Sequence, residues 1–105
     1  METLLIELKK YLQAILDAAT PQLIDKSLHR IDRLNLYWKF ENDFFEKGGS
    51  KASELFKLVP EHQKRDFINE LSNIEKSFML QFQEIARYNG DYPSIPVTDF
   101  RTVLD

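Results

Sequence analysis

The chain contains no cysteine, which excludes disulfides, thiolate metal centres and a thiol nucleophile together. Glycine is scarce: three in 105 residues, two of them adjacent as Gly48-Gly49. That pair sits in Lys-Gly-Gly-Ser and lacks the spacing of a phosphate-cradling loop. No Gly-x-Ser-x-Gly elbow and no repeated Glu-x-x-His pair occurs, so acyl transfer has no visible nucleophile and a di-iron carboxylate bundle no ligand set. Long apolar runs are missing too. The longest in the N-terminal segment is Leu4-Leu5-Ile6, far short of the ~20 residues of a membrane span. Glu2 and Glu7 precede the first lysines, unlike a basic leader segment, and the expectation is a cytoplasmic protein. Positive charge is not in excess: 14 Lys and Arg face 17 Asp and Glu, a net −3. That balance argues against coating of DNA, which needs a basic face.

What is present suits one small domain over residues 1–105. Hydrophobic residues make up 43% and aromatics 12%, too apolar for a disordered polymer. The pattern is helical throughout. Leu5, Leu8, Leu12, Ile15 and Ala19 step by three and four, one stripe of a helix over about 3–19. Thr20-Pro21 has the form of a cap followed by proline at a first helical position, predicting a second helix over about 21–47. Gly48-Gly49 is expected to stop it. Ser50 then opens a short third helix over 51–58, which Pro60 ends by pushing Val59 out of helical geometry. A fourth helix over 60–89 carries Phe67, Leu71, Ile74, Phe78, Phe82 and Ile85 and stops at Asn89-Gly90. The expected fold is an all-α antiparallel bundle built on a hairpin of the two long helices. The tail 91–105 is too apolar to hang free, with Tyr92, Ile95, Val97, Phe100 and Leu104, and is expected to pack back.

Both sides of the second helix are apolar. Leu23, Ile24, Leu28, Ile31, Leu34, Trp38 and Phe45 share one arc, taken as the core stripe. Leu36, Tyr37, Phe40 and Phe44 lie roughly opposite, continuing an arc that begins with Lys26, His29, Arg30 and Arg33. A helix apolar on both faces is covered on both or presents one to a partner. Guanidinium and ring surfaces are common interface anchors. The tail, the most acidic part of the chain per residue, is a second candidate to lie on this basic stretch.

The functional expectation is a non-enzymatic protein–protein interaction module, a small regulator or adaptor. It docks a partner or a second copy, as a homodimer, through Lys26, His29, Arg30, Arg33, Leu36, Tyr37, Phe40 and Phe44. The alternative is a nucleic-acid accessory protein holding phosphates with Lys26, Arg30 and Arg33. No catalytic, metal or cofactor residue is assigned. His29 has Asp25 four before it and Asp32 three after, a spacing that charged helices produce freely. Glu41, Asp43 and Glu46 read as a solvated acidic patch, and Asn35 and Gln81 as amides at the edges of their stripes.

Overall fold

The computed structural model describes residues 1–91 and Phe100. Three long helices pack together: α1 (Glu2–Leu23), α2 (Arg30–Phe56) and α3 (Lys64–Tyr88), with a single 3₁₀ turn at Glu61–Gln63 before α3. No strand occurs among the described residues, and no helix there is long and apolar enough to cross a membrane.

The boundaries of the middle helix differ from expectation at both ends. Pro21 lies inside the last turn of α1 rather than opening a new helix. The reason is local: the Thr20 hydroxyl donates to the Leu16 carbonyl at 2.7 Å, so it bonds back along the helix instead of capping the next one. The chain breaks later, where the Asp25 carboxylate accepts from the Ser27 backbone N–H at 2.9 Å and from the Ser27 hydroxyl at 2.6 Å. This side-chain-closed turn delivers His29 in extended geometry, and α2 starts at Arg30.

At the other end Gly48 and Gly49 do not stop α2, and the separate helix expected over 51–58 is its C-terminal part. A glycine pair weakens a helix by removing side chains and adding backbone freedom; tertiary packing overrides that here. Gly48 is buried, and a Cβ placed on it would lie 2.6 Å from the Phe100 ring and 2.8 Å from Leu12. The missing side chain makes room for two others. α2 ends at Phe56, whose carbonyl accepts from Lys64 Nζ at 3.0 Å. Pro60 then holds extended geometry, so the break occurs where the sequence placed it.

The core lies between the three helices. α1 contributes Leu5, Leu8, Leu12, Leu16 and Leu23; α3 contributes Phe67, Leu71, Ile74, Phe78, Phe82 and Ala86. From α2 come Tyr37, Phe40, Phe44, Ala52 and Leu55. The α2–α3 seam is aromatic: Tyr37 meets Phe82 edge-on at 5.6 Å, Phe40 stacks on Phe82 at 5.4 Å, Phe44 lies 5.7 Å from Phe78 and Phe56 6.1 Å from Phe67. These separations fall within the range in which ring pairs attract beyond simple burial. Residue numbers rise along α2 as they fall along α3.

Of the tail residues expected to pack back, Phe100 does: it is buried, 5.8 Å from Phe44 and 5.7 Å from Phe45. Its backbone N–H donates to the buried Glu75 carboxylate. Tyr92, Ile95, Val97 and Leu104 lie outside the described residues.

Candidate interaction surface

The two arcs hold only in part: of the arc taken as core, Leu23 is buried and Phe45 packs against the core, but other members face out. Tyr37, Phe40 and Phe44, assigned to a partner, are buried in the protein's own core. Leu36 is half-buried on the side toward α1. Ile31 and Trp38, assigned to the core, are 73% and 67% exposed, and Leu34 is also exposed. The physical reason is continuity. Because α2 runs on to Phe56, the row from Tyr37, Phe40 and Phe44 continues in phase through Gly48, Ala52 and Leu55. The Ile31, Leu34 and Trp38 row faces out only along the first turns of α2; its continuation turns inward, with Glu41 buried and Phe45 packed against the core. Asn35 is exposed, and Gln81 half-buried.

The basic stretch is divided between structural work and solvent. Arg33 donates to both oxygens of Asp91, from Nε at 2.9 Å and from Nη2 at 3.2 Å. Its Nη1 donates to the Leu28 carbonyl at 2.8 Å. Asp91 is only 3% exposed and accepts a further bond from the Tyr37 hydroxyl at 2.7 Å. Asn89 in turn donates to the Tyr37 hydroxyl at 2.8 Å and to the Leu23 carbonyl. One network therefore ties the last turn of α1, the first turns of α2 and the end of α3. Arg33 and the Tyr37 hydroxyl hold the Asp91 carboxyl below the usual carboxylate range, while desolvation raises the Tyr37 phenol. The first residue of the acidic tail thus does lie on the basic stretch.

Lys26, His29 and Arg30 remain exposed. Lys26 Nζ sits 4.1 Å above the Tyr88 ring, and Arg30 Nε lies 3.9 Å from Asp91. Of the three cations offered to phosphate, Arg33 is committed to a buried carboxylate and Lys26 to a ring. His29 caps α2, whereas Asp25 lies in the preceding turn, so the helical spacing of these two with Asp32 does not hold.

The acidic patch also separates by environment. Glu46 is exposed and Asp43 half-buried, but Glu41 is buried. Its Oε1 has no hydrogen-bond partner among the described residues. Desolvation pushes its carboxyl up to about 7. Sequence reasoning left Glu41 in water as one of an acidic patch; in the structure Tyr37 and Phe45, one turn to either side, flank it on the inward half of the helix.

What the surface offers is an apolar row at steps of three and four: Ile31, Leu34 and Trp38. That spacing is the seam of a helix–helix contact, and it ends on a tryptophan, a side chain enriched at interface hot spots. Comparison with protein-family models, with curated proteins and with solved structures finds no match to this chain.

Proposed function

We propose that the chain is a non-enzymatic interaction module, a small cytoplasmic regulator or adaptor, that self-associates through the outward row of α2. The observation that supports this is the exposure of Ile31 and Trp38 at seam spacing on a helix whose Tyr37, Phe40 and Phe44 are buried inside. A second copy is the occupant favoured, because a seam on one helix is self-complementary across a two-fold axis. Together the three side chains present apolar surface on the order of 300 Å², below the ~800 Å² per partner of a standard interface. Exposed Arg30, Asn35 and Asn42 beside the row complete the contact. An interface of that size belongs with weak, concentration-dependent association.

Light scattering over a concentration series tests the reading. The mass is expected to rise from 12.4 kDa toward twice that value, and Ile31→Ser with Trp38→Ser to hold it at the monomer value without lowering thermal stability. A wild-type monomer at every concentration, or a double variant that still dimerises, overturns it.

A further inference from the structure

We propose that a second surface, the groove between α1 and α2, docks one amphipathic helix of a different protein, recognised by an acid–base–acid edge at successive turns. The groove encloses about 520 Å³, and α3 supplies none of its lining. Its floor is apolar, formed by Ile15, Leu36 and Phe40, and Ala14 and Ala18 on α1 keep that wall low. From Tyr11 to Gln22 the α1 wall runs for about 16 Å, three turns, at 1.5 Å per residue. Two helices already packed side by side leave room of this shape for another to lie along them, as in helix-in-groove recognition.

Charge says which helix. The lining residues of the α1 wall carry no charge, whereas the α2 wall carries Lys39, Asp43 and Lys47. Residues four apart on a helix are neighbours, and opposite charges so placed commonly pair. Here none of the three appears in an ion pair or side-chain hydrogen bond among the described residues. The plus–minus–plus row is therefore open, and its complement is Glu, then Lys or Arg, then Glu at i, i+4 and i+8. This chain does not contain that pattern. Asp43-Lys47 continues to Lys51, Glu61-Arg65 to Asn69, and Asp25-His29 to Arg33. At steps of three then four, Glu54-Lys57-Glu61 runs past the end of α2 and Glu84-Arg87-Asp91 runs past the end of α3 to a buried carboxylate, so no described helix of a second copy presents the edge, and the occupant proposed is another protein. The groove shares no residue with the Ile31, Leu34 and Trp38 row, so the two surfaces stand or fall separately.

The test is fluorescence anisotropy of two labelled helical peptides of about four turns, each with an Ala and Leu face, titrated with the full chain. One peptide carries a Glu–Lys–Glu edge and the other Lys–Glu–Lys. The first is expected to bind, the second about tenfold or more weakly, since like charges across a contact suppress the wrong partner. The triple variant Lys39→Glu, Asp43→Lys, Lys47→Glu is expected to invert the preference, and Ala18→Trp to abolish binding by raising the α1 wall into the groove. Ile31→Ser with Trp38→Ser is expected to bind as wild type does, separating this surface from self-association. Equal binding of the two peptides, no binding of the Glu–Lys–Glu peptide, or a preference that survives the triple variant overturns the proposal.

Discussion

Replacing Glu41 with glutamine removes a charge that the fold holds away from water while keeping the side chain's shape. Burial raises the Glu41 carboxyl from 4.5 to about 7, and one pKa unit corresponds to about 1.36 kcal/mol. The native state therefore binds the proton more tightly than the unfolded chain does. The stability Glu41 contributes is complete below pH 4.5, declines as pH rises from there through 7, and is lost above that. The shift sets an upper bound of about 3 kcal/mol; rotation of the side chain toward water lowers it, and about 1–3 kcal/mol is expected. Urea unfolding at pH 5, 6, 7 and 8 measures it, with the midpoint converted to stability at constant slope. Wild type is expected to lose stability across that range, and Glu41→Gln to lose less, so that the variant is the more stable protein at pH 8. Contributions from other titrating groups cancel in the difference between the two proteins. Parallel pH dependences for wild type and variant refute the assignment of Glu41 as a buried, unpaired acid.

Two further changes probe the joints of the fold. Asp91→Asn removes the charge that Arg33 and Tyr37 share; loss of charge-assisted bonds at a buried site costs about 2 kcal/mol. Because the Asp91 carboxyl is held below its ordinary 3.8, the stability it provides is complete above that pH and lost as pH falls through the lowered value. Acid titration of unfolding should show this limb in wild type and not in the variant. Gly48→Ala gains about 1 kcal/mol of helix propensity but places a Cβ 2.6 Å from Phe100. Overpacking costs about 1–3 kcal/mol, so a net loss is expected in thermal unfolding, and a net gain would show that no close approach exists at Gly48.

The helical class and the core stripes of α1 and α3 were legible because each carries one apolar face: Leu5, Leu8 and Leu12, and Phe67, Leu71 and Phe78, leave no choice of side. Pro60 and the Asn89-Gly90 stop were legible because their backbone demands are local, and Gly90 does take a positive φ of 79°. α2 was not, because it carries two apolar rows and the choice between them depends on its length. Reading Gly48-Gly49 as a stop cut the longer row in half, hiding its continuation through Ala52 and Leu55. What keeps the glycines helical is the approach of Leu12 and Phe100, and nothing near position 48 announces either. The turn at Asp25 and Ser27 did have a local signature, an acidic side chain two residues before a hydroxyl, but Thr20-Pro21 offered a stronger-looking one nearby. Of the candidate docking face, Tyr37, Phe40 and Phe44 are core residues, while Lys26, His29 and Arg30 are exposed. The tail's acidity, by contrast, pointed correctly to Asp91 lying against Arg33.

The place of Phe100 makes the interior depend on a residue outside all three long helices. Its ring fills the space over Gly48 and touches Phe44 and Phe45, so the absence of a side chain at position 48 and the presence of a ring at position 100 are two halves of one fit. Neither position can be changed alone without leaving either a void or a clash beside Leu12.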